Sequence, residues 1–280
     1  MIFTGTHILD NTNVRLHRYR AAVADPIIRN SATYADTTVN EIKAFIGVLI
    51  LAAERKDNHL SVEELFDPKF APAFYRCVFS SKRFQLLCFT IRFDDQETRA
   101  ERMEHDQFTH IRELWQAVMS KCRESYIPGN CVTVDEQLIP FRGNCRFKIY
   151  MPQKPARYGI KIYMVCDSAT MYCVDTIPYA GRAHAANNAR GLTSTDNLTL
   201  DLLGDLVQPG RTLCVGNYYA SFPLARELRS NGMHLVGTHR TKRELPSQQV
   251  SNSWGLKDGE ATALYNHEDG ISVLYKQKRK

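Results

Sequence analysis

Asp135 stands in the run Val132-Thr133-Val134-Asp135-Glu136-Gln137-Leu138. In a strand of that apolar character a carboxylate without a partner is costly to desolvate. Two kinds of partner would compensate it: a metal ion, or a cation brought across the sheet from Arg142, Arg146 or Lys161. Glu136, one residue on, faces the other side of the strand and is expected in a strand-end ion pair. The segment that follows has the opposite character. Between Gln137 and Cys166 there is no acidic residue, while Arg142, Arg146, Lys148, Lys154, Arg157 and Lys161 fall there among Phe141, Phe147, Tyr150, Tyr158 and Tyr163. Such a stretch is either a solvated hairpin face over packed aromatic stems, or a surface that grips phosphates with rings near unstacked bases.

The other chemistry-bearing residues read as structural. The eight cysteines contain no C-x-x-C pair and no nearby histidine pairing, so they are expected to be small core residues in a reducing compartment. Asp167 and Asp175 are candidate replacement ligands if a hairpin brings them near Asp135, but such residues more often serve turns and strand ends. His184, His234 and His239 show no triad spacing, and Cys214 has no recognisable base beside it. Net charge is +6, from 36 Lys and Arg against 30 Asp and Glu, a mild excess that does not by itself argue for nucleic acid. No stretch approaches the roughly 18 consecutive apolar residues of a membrane span. The start, MIFTGTHILDNTN, lacks a secretory pattern. A soluble protein of the cytosol or nucleus is expected.

The elements that must position these residues fall into two kinds. Residues 1–128 read as helical. Thr38 and Glu41 have capping-box spacing, and Ile42, Phe45, Ile46, Leu49, Ile50 and Ala53 recur behind them on one helix face. Ser61 and Glu64 repeat the capping signal. Helices are predicted over 82–91, with Phe84, Leu87, Cys88 and Ile91 inward, and over 109–126, with Ile111, Leu114, Trp115, Val118, Met119 and Cys122 inward. Residues 94–105 read as a charged connector. After Asn130 the period shortens to that of strands: 131–138, 147–151, 159–166 and 171–177, the last two an antiparallel pair. A helix over 199–207, a strand over 212–215, a Ser221-capped helix over 222–230 and a strand over 234–238 complete the pattern. That order suits a mixed sheet with helices packed on it, as in the RNase H-like fold. From Thr241 onward the chain is polar and weakly patterned, ending on a basic run.

Residues 132–181, VTVDEQLIPFRGNCRFKIYMPQKPARYGIKIYMVCDSATMYCVDTIPYAG, resemble the core of piggyBac-type transposases, with their D-E-[QM], FRGR-like, MP-KP and YGIK elements. Residues 217–246, NYYASFPLARELRSNGMHLVGTHRTKRELP, are similar to that family's later D-N-[FY]-[FY]-x-S, L-A-x-x-L and G-T-x-R segments. The resemblance implies a helical dimerisation and DNA-binding region over 1–128, an RNase H-like catalytic-type domain over 129–244 and the start of an inserted segment over 245–280, truncated. It also implies a cluster of aspartates holding two Mg²⁺ ions, one to activate the attacking oxygen and one to stabilise the leaving oxygen of a phosphodiester. Asp135 matches the first acid. The family's second acid falls on Gly216, which offers no ligand, and Asn217 would point to the other side of a strand. Neither Asp258 nor Asp269 has the context of the later acids, and the zinc-binding module is absent.

These departures imply a vestigial centre. A degenerate transposase is expected, in the nucleus, binding DNA as a homodimer through Arg142, Arg146, Lys148, Lys154, Arg157 and Lys161, with no Mg²⁺ of its own and a salt bridge as the present duty of Asp135. Two other readings stand beside it: a fragment or mutant of an active cut-and-paste transposase using two Mg²⁺ ions, and a dimerising protein-interaction module with no DNA role.

Overall fold

The computed structural model describes residues 5–181, 191–239 and 260–276, and the chain divides into two compact units, Met1–Ala117 and Val118–Lys280. His184, Asp258 and the end of the basic tail lie outside the described residues.

The first unit is helical: α1 (Gly5–Ala21), α2 (Pro26–Arg29), α3 (Val39–Glu54), α4 (Val62–Leu65), α5 (Ala73–Val78), α6 (Ser81–Thr90) and α7 (Arg99–His105), followed by the start of α8 (Arg112–Ser125). Its core gathers Phe45, Val48, Leu65, Phe66, Tyr75, Phe84 and Leu87. α3 buries Ile42, Phe45, Val48 and Ala52, while Leu49 and Ile50 of the expected stripe are exposed. The helix is apolar nearly all round, so spacing alone cannot choose its inward face. An ion pair chooses it. Arg83 on α6 donates to Glu41 through Nε at 2.8 Å and Nη2 at 2.6 Å, and to the carbonyls of Thr33 and Ala35. That use of the Glu41 carboxylate leaves the Thr38 cap with only its own half, the Glu41 N–H at 3.2 Å, whereas Ser61 and Glu64 form a complete capping box.

Other expectations in this unit need correction. Cys88 on α6 is exposed, its inward place taken by Leu86 and Arg83. The charged stretch 94–105 is not a plain connector. Asp94 is buried and accepts from Arg99 and Arg102 of α7, which gives this polar helix its anchor. α8 fully buries none of its side chains, and Val118 is exposed. All eight cysteines are free thiols, but none is fully buried, so they are not the core residues expected.

In the second unit, β1 (Cys131–Pro140), β2 (Ile149–Tyr150), β3 (Tyr158–Asp167), β4 (Cys173–Pro178), β5 (Thr212–Val215) and β6 (His234–Gly237) form one mixed sheet in the order β2-β3-β1-β5-β6, with β4 also on β3. β3 is antiparallel to β1, β2 and β4, whereas β5 runs parallel to β1 and β6 parallel to β5. One face packs Val132, Val134, Val165, Leu213 and Val215 against Leu198 and Leu202 of α9 (Ser194–Leu203) and Leu224 and Leu228 of α10 (Phe222–Ser230).

α9 begins earlier than its apolar residues suggest, because Thr193 and Asp196 form a capping box, and it ends at Gly204, whose φ is +47°. The Asp196 carboxylate also accepts the Ser221 hydroxyl at 2.7 Å, while Ser221 caps α10 through the Leu224 N–H. One buried acid thus joins the starts of both helices. Beyond the sheet, β7 (Ala261–Asn266) and β8 (Ile271–Lys276) form an antiparallel hairpin where weak patterning gave no strand. Its turn, with Gly270 at φ +59°, accepts no periodic signal because most of its side chains are exposed.

Candidate functional site

Strand alternation settles where Asp135 points. Val132, Val134 and Leu138 bury the core face of β1, so Thr133, Asp135 and Gln137 face the other way, and Asp135 is exposed. Its desolvation therefore costs little. Oδ1 accepts the Glu136 N–H at 2.8 Å, and no cation pairs with Asp135 among the described residues. The salt bridge expected from Arg142, Arg146 or Lys161 is not formed, because an exposed carboxylate needs none.

The parallel register of β1 and β5 pairs Val132 with Leu213, Thr133 with Cys214 and Val134 with Val215. Asp135 and Gly216 each follow the last residue of that ladder, Val134 and Val215. Gly216 is exposed, its φ is not in the left-handed region, and a Cβ built on it meets nothing within 4 Å. Glycine is therefore not required there by backbone or space. Asn217 follows in the exposed turn after β5. Asp167 and Asp175 are occupied elsewhere. The Asp167 carboxylate accepts N–H groups of Gly129, Ala169 and Thr170 at 2.7–2.9 Å. Backbone donation from Thr170 and Gly129 holds its pKa down at about 2. Asp175 pairs with Arg123 at 2.6 Å.

Among the described residues the donor set does not fit a pair of Mg²⁺ ions, which take carboxylate oxygens from several side chains. Asp135 contributes one carboxylate, Gly216 contributes none, and no group of three or more His, Cys, Asp or Glu among the described residues could hold a metal.

The basic segment separates into two sets. Lys148 donates to the Gly143 carbonyl at 2.9 Å. Lys154 donates to the Glu136 carbonyl at 3.1 Å and lies 3.5 Å from its carboxylate. The Lys161 ammonium stands over the rings of Tyr163 and Tyr218 at 4.5 and 4.8 Å. All three lysines are thus held within the fold. Arg142, Arg146 and Arg157 are exposed and pair with no carboxylate among the described residues.

A residue cluster beneath them escaped the sequence. Glu136, on the core face, accepts the Tyr219 hydroxyl at 2.9 Å as well as facing Lys154. It therefore ties the β2–β3 turn to the loop that carries Gly216. Burial, with the negative charge of Glu136, pushes the Tyr219 phenol well above its ordinary range, so it stays a donor. The ion pair of Glu136 was legible, but its partners lie 18 and 83 residues away in the chain, beyond any local signal.

An antiparallel set of strands with two parallel ones beyond β1, packed against helices, is an RNase H-like arrangement. A family model described as Transposase IS4 matches residues 4–280. A solved piggyBac transposase, determined by cryo-electron microscopy in a synaptic complex with hairpin DNA, matches with a TM-score of 0.82 and 35% identity over 95% of this chain. The alignment covers 55% of that transposase, so the chain spans about half the length of this relative. The chain belongs to the Transposase IS4 family and is of the piggyBac type.

Proposed function

We propose that this chain is a transposase-derived DNA-binding protein of the nucleus whose strand-cutting centre is lost. The observation that supports the reading is Gly216, which follows the last β5 residue paired with β1, as Asp135 follows the last β1 residue paired with β5. If the ions supply even about 5 kcal/mol of charge stabilisation, their loss lowers the rate by roughly 10³ to 10⁴. Phosphate contacts do not use the acidic pair, so DNA binding survives such a loss. Arg142, Arg146 and Arg157 supply those contacts, being exposed and free of carboxylates among the described residues. The solved relative's complex with hairpin DNA supports DNA as the partner. The helical unit serves a homodimer, for which the exposed Leu49 and Ile50 of α3 offer apolar surface.

Duplex affinity measured across a range of salt concentrations tests the reading. Three phosphate contacts would contribute about −2.7 to the slope of log K against log salt. Replacing Arg142 and Arg146 by Gln, and Arg157 by Gly, is expected to remove that contribution. Arg157 has φ +54°, a conformation that suits glycine, so this substitution deletes charge without straining the turn. A wild-type affinity indifferent to salt would contradict the proposal.

A further inference from the structure

The β2–β3 hairpin displays two tyrosines that the fold itself does not use. Tyr150 and Tyr158 are direct cross-strand partners, with ring centroids 4.7 Å apart and planes 36° from each other. Each is 54% exposed. Aromatic pairs on a sheet ordinarily cover a core, as the contacting rings of Tyr163 on β3 and Tyr219 in the turn after β5 do here, being almost wholly buried. The exposed pair covers none. β2 consists of only Ile149 and Tyr150, so the strand does little but hold one ring against the other.

The support beneath the pair is firm. The Met151 N–H donates to the Arg157 carbonyl at 2.7 Å, closing the turn. Lys154 in that turn is bound to Glu136 on β1. Gly159 lets β3 approach β1 so closely that a Cβ there would come within 2.1 Å of the Ile139 carbonyl oxygen. Two exposed arginines adjoin the pair, Arg157 next to Tyr158 in the chain and Arg142 next to Phe141, whose N–H donates to the Tyr158 carbonyl at 3.4 Å, and Arg146 lies exposed in the loop before β2.

We propose that Tyr150 and Tyr158 form a stacking platform for the bases of single-stranded DNA, with Arg142, Arg146 and Arg157 holding the adjacent phosphates. The proposal rests on the DNA-binding reading and narrows it to unpaired strand. Flat π-surface flanked by cations suits a polyanion with exposed base faces, and a duplex keeps its base faces stacked inside. Along β3 the platform shares a face with the vestigial acid: Tyr158, Ile160, Ile162 and Met164 alternate on one side, and Met164 is the partner of Asp135. Six residues at about 3.3 Å each put Tyr158 roughly 20 Å from that position.

The experiment measures binding of the full chain to an oligodeoxythymidylate and to a duplex of equal length by fluorescence anisotropy. Wild type is compared with Tyr150→Leu/Tyr158→Leu and Tyr150→Phe/Tyr158→Phe, with unfolding midpoints confirming that each folds. The leucine pair is expected to lose on the order of 10- to 100-fold in single-strand affinity while its duplex affinity stays within twofold. The phenylalanine pair, which keeps the rings, is expected to match wild type on both. Unchanged single-strand binding by the leucine pair, or equal losses on both DNAs, would overturn the platform and leave the DNA-binding reading standing. Failure of wild type to bind either DNA would overturn both.

Discussion

Gly216 and Asp135 make the residue-scale case, and both can be changed without disturbing the fold. A side chain at 216 meets open space, so Gly216→Asp is expected to leave the unfolding midpoint nearly unchanged in the presence of a chelator. It is also expected to gain a midpoint shift with Mg²⁺ or Mn²⁺ that wild type lacks, because a ligand that binds only the folded state stabilises it. Thermal scans with and without metal check this, and a metal-induced shift already present in wild type would contradict it. Asp135→Asn should change stability by no more than about 0.5 kcal/mol, as for other surface sites, since the carboxylate has no ion pair to lose. Asp167 behaves differently. Its pKa of about 2 lies below the ordinary value, through backbone donation from Thr170 and Gly129. The stabilisation it brings is therefore present above about pH 4, the unfolded-state pKa, and is lost as pH falls towards 2. Unfolding midpoints of wild type and Asp167→Asn are expected to differ at pH 6 and to converge at pH 2.

At the scale of elements, the buried ion pairs decide how helices and loops are set. Glu41→Ala would leave the buried Arg83 guanidinium with only the Thr33 and Ala35 carbonyls and is expected to cost about 1–3 kcal/mol in denaturant unfolding. Glu136→Leu would strand the Tyr219 hydroxyl, at about 1–3 kcal/mol, while Lys154 keeps its bond to the main-chain carbonyl of that residue. Glu136→Gln, which can still accept from Tyr219, should cost less than Glu136→Leu. These pairs also explain what the sequence could show. The strands, the β3–β4 hairpin, β5 and α10 were legible because alternation and a Ser221 cap are local signals. The rotation of α3 was not, because an ion pair with a helix 42 residues on sets it. α9 was misplaced through the unrecognised Thr193–Asp196 box. Asp135 and the six basic residues were visible as types in a pattern. The pairing of Lys154 with Glu136 and of Lys161 with the Tyr218 ring was not, since those partners come from other segments of the chain.

On the scale of the whole molecule, one sheet carries both Asp135 and the basic hairpin, and the proposed function assigns them different fates. The chain keeps the fold of its solved relative, and Arg142, Arg146 and Arg157 lie exposed in the loops that flank β2. Binding without cutting is the combination this predicts. The most direct test is incubation of the purified chain with Mg²⁺ and terminal-repeat duplex DNA under conditions where gel shifts show the duplex bound. The expected result is a shifted but intact duplex, with no nick and no joined product above the level seen for Asp135→Ala. Mg²⁺-dependent nicking that Asp135→Ala abolishes would contradict it.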